Sequence, residues 1–148
     1  MKTRRVSPVL FSLALVFALL GRAQASPKTE IKGTAILDHP CGKVAVQHMG
    51  LVHAGKMEEA TKLGTKEMQD GWKAMPAKDR TMMTGMMKEM SESTAQFSAE
   101  IKASGLLVVE GAGATLTVKK EHKDANGSSS ETWTQTYALD NGKCLISR

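Results

Sequence analysis

Ten methionines occur in the chain, and five of them, Met82, Met83, Met86, Met87 and Met90, crowd into one short segment. Thioethers are soft donors suited to Cu(I). On a helix, the four-residue spacing of Met82, Met86 and Met90 sets three sulfurs along one face, with Met83 and Met87 beside it. That stripe extends to Phe97 and Ile101, which cannot ligate a metal, so it equally describes a buried helix face. A third reading makes the stripe the lining of an adaptable apolar pocket, built from Met83, Met86, Met87, Met90 and Phe97.

The two cysteines, Cys41 and Cys144, lie near opposite ends of the region expected to fold. In an oxidising compartment they read as a disulfide tying the first helix to the last strand. Closing a loop of about 100 residues stabilises by up to about 4.7 kcal/mol in the chain-entropy account. The alternative is a metal site using His39, Cys41 and Cys144, but it lacks a fourth ligand, and no Cys-x-x-Cys spacing occurs. His48 falls on an apolar helix face and His53 near its polar edge, and none of the four histidines has a catalytic partner in view. Ser128 to Ser130 lack a nucleophile elbow, and no phosphate-binding glycine pattern is present. Among carboxylates, Asp38 and Glu110 are the candidates for a buried base.

Electrostatics narrow the partners. The chain of 148 residues carries 20 basic against 15 acidic residues, but Lys2, Arg4, Arg5 and Arg22 all lie in the first 25 positions. Without them 16 basic residues face 15 acidic ones, which gives no reason to expect nucleic acid or an acidic membrane surface. The same 25 residues join a positive start to an apolar run from Val9 to Leu20 and small residues at Ala23 and Ala25, the layout of a cleaved export signal. Twelve residues of helix span roughly 18 Å, short of the roughly 30 Å of bilayer hydrocarbon. The expectation is a chain secreted or periplasmic, about 123 residues after cleavage, with no remaining membrane span.

The elements that must position these groups follow from periodicity. Residues 26–39 read as a flexible lead-in, with Thr34 to Asp38 as a short first strand at most, and residues 40–148 as one domain. Val44, His48, Leu51 and Val52 mark the inner face of a helix ending near Gly55. Met57, Ala60, Gly64, Met68 and Trp72 mark one side of a second, up to the break at Pro76. A third runs from about Asp79 to Ala103 with the methionine stripe inward, stopped at Gly105 by a left-handed turn. Strands follow at Leu106 to Val109, around Ala114, Leu116 and Val118, around Trp133, Gln135, Tyr137 and Leu139, and at Lys143 to Ser147. Gly111 to Gly113 reads as a bend, while Asn126-Gly127 and Asn141-Gly142 are hairpin turns. Trp133 and Tyr137 read as core aromatics. The result is an α+β fold: three N-terminal helices packed on a curved antiparallel sheet of about four strands.

The Gly-Lys-Met-Glu-Glu-Ala step at Gly55 to Ala60, the helices after it, and strands closing on Asp140-Asn141-Gly142-Lys143-Cys144-Leu145-Ile146 resemble exported members of the NTF2-like superfamily, over residues 40 to 147. That resemblance implies helices on a bent, cystatin-like sheet whose interior is a ligand pocket, an active site or core. Isomerase-type members place a carboxylate base and an acidic donor inside the cone. Here Tyr137 is the only tyrosine, and the inward strand positions are apolar or Gln135. The leading expectation is a non-enzymatic binding or interaction domain, without cofactor, whose partner is a protein or a lipophilic small molecule. A homodimer stays open. Cu(I) binding through Met82, Met86 and Met90 is the second reading and an isomerase-like enzyme the third.

Overall fold

The sheet is built from local signals and the helices are folded back onto it. The computed structural model describes residues 26–125 and 127–147, with side-chain surroundings left aside at 122–124. The expected export signal and Asn126 lie outside the described residues. The chain runs β1 (Lys28–Lys32), α1 (Thr34–Asp38), α2 (Pro40–His53), α3 (Met57–Thr61), α4 (Lys66–Ala74), α5 (Ala77–Met90), α6 (Thr94–Ser104), β2 (Leu106–Glu110), β3 (Gly113–Asp124), β4 (Gly127–Asp140) and β5 (Lys143–Ile146). The five strands form one antiparallel sheet in the order β1-β2-β3-β4-β5, so all the helices sit in the connection between β1 and β2.

Two expectations for the N-terminal region change. Residues 28–32 are a strand that pairs with β2, Ile31 opposite Leu107, and not a loose lead-in. Thr34–Asp38 is a helix that delivers Ile36 into the core. Its short apolar run suits a strand or a buried helix equally, and packing decides between them.

Among the described residues the helices are six: the second and third expected helices each divide in two, and α1 is added to them. The segment 56–74 breaks at Gly64, which forms a parallel bridge to Ile146 before Thr65 caps α4 by accepting from the Met68 amide. The long third helix also breaks. Ser91 leaves helical geometry, and Ser93 caps α6 by accepting from the Gln96 amide. Ser93-x-x-Gln96 is a cap signature inside the expected helix, and it restarts the helical phase. Phe97 and Ile101 therefore reach the core while α5 contributes no buried residue.

The methionine stripe is accordingly not an inward face. At 100° per residue, half-buried Arg80 and Thr84 fall with Met87 and Ser91 within about 60° of arc on α5. Met82, Met86 and Met90 are 61%, 54% and 76% exposed, and Met83 and Met87 are 39% and 37% exposed. The buried face of α2 is also rotated from expectation: it runs through Cys41, Ala45, Met49 and Val52, leaving Val44, His48 and Leu51 half buried on its flank.

The β half follows its alternation closely. Ala114, Leu116 and Val118 are buried, opposite Tyr137, Gln135 and Trp133 respectively. Asn141 and Gly142, with φ of 49° and 77°, make the two-residue β4–β5 turn, in which both positions are left-handed. Gly105 ends α6 for a different reason than expected. Its φ is −66°, but a Cβ there would sit 2.5 Å from the Ile101 carbonyl and 2.9 Å from Ile36 Cδ1, so only glycine lets α1 close on α6.

One continuous core joins Ile36, Cys41, Ala45, Phe97 and Ile101 on the helices to Leu107, Leu116, Tyr137 and Ile146 on the sheet. A second cluster, Val52, Met57, Ala60 and Trp72, packs α3 and α4 on the end of α2. A Cys41–Cys144 disulfide crosslinks α2 to β5, spanning 103 residues with Cα atoms 5.0 Å apart. It points to an oxidising, non-cytoplasmic environment. Among the described residues no helix is long and apolar enough to cross a membrane.

The disulfide closes a long loop through the core, so its removal should act mainly on the unfolded chain. Cys41→Ala/Cys144→Ala is expected to lower unfolding stability by up to about 4.7 kcal/mol, read as a lower guanidinium midpoint. An unchanged midpoint would contradict that role.

Candidate functional site

The candidate site grows from the register of β3 and β4. Along the helix-facing side of that pair, Ala114 sits opposite Tyr137, Leu116 opposite Gln135, Val118 opposite Trp133, and Lys120 opposite Glu131. The alternation that builds the core thus runs on into charge at its far end. Lys120 stays buried there at 8% exposure. The break between α5 and α6 brings Glu92 to it: Lys120 Nζ lies 2.8 Å from Glu92 Oε1 and 3.6 Å from Glu100 Oε2. The ammonium also lies 5.7 Å from the Phe97 ring centroid, and Phe97 meets Trp133 edge-on at 4.9 Å. One lysine therefore ties the α5–α6 link, α6 and the sheet together.

Glu100 carries the cost of that cluster. Burial raises its carboxyl pKa, a hydrogen bond with Glu92 adds to the rise, and the Lys120 charge opposes it. Glu92 Oε2 and Glu100 Oε2 are buried without another hydrogen-bond partner among the described residues, and one proton shared between the carboxyls would satisfy both. Tyr137 adds a second strained polar group, its hydroxyl buried without a partner and its pKa pushed up by that burial.

Above this charged floor lies a cavity of about 380 Å³. Its walls are His48, Met49 and Val52 from α2, Met87 and Met90 from α5, Ser91 and Glu92 from the link, and Lys120, Glu131, Trp133 and Gln135 from the sheet. His53 Nδ1 lies 3.3 Å from the Ser91 carbonyl, pinning the end of α2 to the rim. His48 is partly buried, and that burial lowers its pKa, so the ring is neutral at neutral pH. A wider hollow of about 720 Å³ over α3 and α5 is lined by exposed Lys56, Glu58, Glu59 and Lys62 with Trp72 at its base. It concentrates neither apolar surface nor buried charge.

The residues singled out in the sequence separate accordingly. Met87 and Met90 line the cavity; Met83 and Met86 do not. Phe97 is fully buried behind Trp133, so it supports the wall and does not face the space. Met82 and Met86 lie on the outer flank of α5. Cys41 and Cys144 form the expected disulfide, and His39 Nδ1 accepts from the Cys41 amide as the cap of α2, so the alternative His39-Cys41-Cys144 metal set is not formed. No group of three or more His, Cys, Asp or Glu suited to a metal occurs among the described residues. Asp38 ends α1 and Glu110 ends β2, both exposed because both close an element at the surface. Neither supplies the buried base that the isomerase reading needs. Lys120, Glu92 and Glu100 were missed, although Lys120 continues the alternation of Ala114, Leu116 and Val118.

Comparison with protein families, curated proteins and solved structures finds no match to this chain.

Glu100 and His48, both beside the cavity, predict opposite slopes of stability with pH. Glu100 holds its proton more tightly folded than unfolded, so stability falls as pH rises from the ordinary carboxylate range through its raised pKa. His48 binds its proton more weakly when folded, so stability falls as pH drops below the ordinary histidine value of about 6.5. Urea unfolding across pH should lose the first slope in Glu100→Gln and show a shallower second slope in His48→Gln, the remainder coming from His39, whose pKa burial also lowers. Unchanged profiles in both variants would contradict the assignments.

Proposed function

We propose that this chain is an exported, secreted or periplasmic, non-enzymatic binding domain, and that the cavity roofed by Met87 and Met90 takes a small lipophilic molecule. The observation that carries the reading is the composition of the walls: Met49, Val52, Met87, Met90 and Trp133 supply apolar surface above a polar end at Lys120, Glu92 and Gln135. A volume of about 380 Å³ lies in the range of small-ligand sites. Flexible methionines allow the roof to re-pack around ligands of different shape.

The NTF2-like relationship belongs to the same proposal. It is supported by an antiparallel meander with helices against one face and by a cavity at one end of the helix–sheet interior. Export is supported by the composition of the first 25 residues together with the disulfide.

N-phenyl-1-naphthylamine should brighten on binding and raise the melting temperature, the stabilisation reaching about 2.7 kcal/mol at one hundred times Kd. Met87→Trp, which fills the roof, should abolish the brightening while the protein remains folded by circular dichroism. A panel of lipophilic probes that leaves melting unmoved would overturn the reading.

A further inference from the structure

A second chemistry meets in the same cavity. Met87 and Met90 are one turn apart on α5 and both reach the cavity, while His48 enters from α2. These are two thioethers and one imidazole, delivered by two helices into a partly enclosed space. No hydrogen bond or ion pair engages the His48 ring among the described residues. A half-buried imidazole ordinarily finds a partner, so its nitrogens are left for something that enters the cavity. Trp133 offers a ring beside these donors, a surface that suits a cation.

We infer that the cavity binds a soft monovalent cation, Cu(I) or Ag(I), between the His48 imidazole and the thioethers of Met87 and Met90. Thioether and imidazole donors with no ligating cysteine thiolate select such an ion over Mg²⁺ or Ca²⁺, which require several oxygen ligands. The site differs from the outward row of Met82, Met86 and Met90. Met82 and Met86 stand exposed on the flank of one helix and outside the cavity. Of that row only Met90 is retained. The inference goes beyond the lipophilic reading and does not require it, since the donors hold the ion whether or not an organic ligand also fits.

Ag(I) in chloride-free buffer is the probe, because it needs no reductant and leaves Cys41–Cys144 bonded. In a Trp72→Phe background, which leaves Trp133 as the only tryptophan, one equivalent of Ag(I) is expected to quench the fluorescence. Met87→Leu/Met90→Leu keeps side-chain volume and should weaken binding by more than the roughly tenfold that loss of even a supporting group costs a metal site. His48→Gln, on another helix, should do the same, so the test survives if the double variant does not fold. Met82→Leu/Met86→Leu should bind as the parent does. Absence of saturable one-to-one quenching overturns the site, as does binding that survives the first two changes or is lost in the third. Titrating the same protein with N-phenyl-1-naphthylamine separates the two readings: dye binding without Ag(I) binding removes only the metal site, and Ag(I) binding without dye binding removes only the lipophilic one.

Discussion

The crosslink from Cys41 to Cys144 is the constraint on which the arrangement depends. It joins the first turn of α2 to β5, two segments 103 residues apart, at the point where helices and sheet share their core. Neighbouring contacts converge there. A Cβ on Gly42 would collide with the Ile36 carbonyl, so α1 lies directly against the bonded turn. At the end of β5, the Ile146 carbonyl accepts from the Thr65 amide and the Ile146 amide donates to the Leu63 carbonyl. The bond thus holds together α1, α2, the α3–α4 junction and the edge of the sheet. With α2 fixed, the direction of His48, Met49 and Val52 into the cavity is fixed as well.

At the other end of the interior the fixing is ionic. Lys120 is buried on a face that is apolar up to Val118, and two carboxylates from the helical layer meet it. Burying such a cluster is costly unless its geometry is good, and the upward shift at Glu100 reflects that cost. What the cluster contributes is registry. It fixes where the chain turns between α5 and α6, and therefore where Met87 and Met90 stand over the sheet. A covalent tie at one end and an ion cluster at the other leave the cavity between them.

The β half was legible because its determinants are local. Alternation identified Ala114, Leu116 and Val118, Asn141-Gly142 marked a turn, and two cysteines behind an export-like leader led to the disulfide. The helical half was legible as helix but not as packing. A stripe from Met82 to Ile101 is continuous only if one helix carries it, and the cap at Ser93 resets the phase, sending Phe97 inward and the methionines outward. Periodicity shows that a face is apolar; it does not show which neighbour covers it, and α5 presents Arg80 and Thr84 where its methionines were expected. The cavity itself was half visible. Met87 and Met90 were named, whereas Lys120, Glu92 and His48 acquire meaning only when a sheet register and a helix break bring them together.

Helix α5 has no buried residue, although it roofs the cavity. Lifting it away would expose little apolar area, while the disulfide and the core beneath it remain intact. Its separation from the sheet would cost little apolar burial, and it would uncover Trp133, His48 and the charged floor together. A displacement of α5 would thus open the cavity from one side while the core and the Cys41–Cys144 bond stay in place.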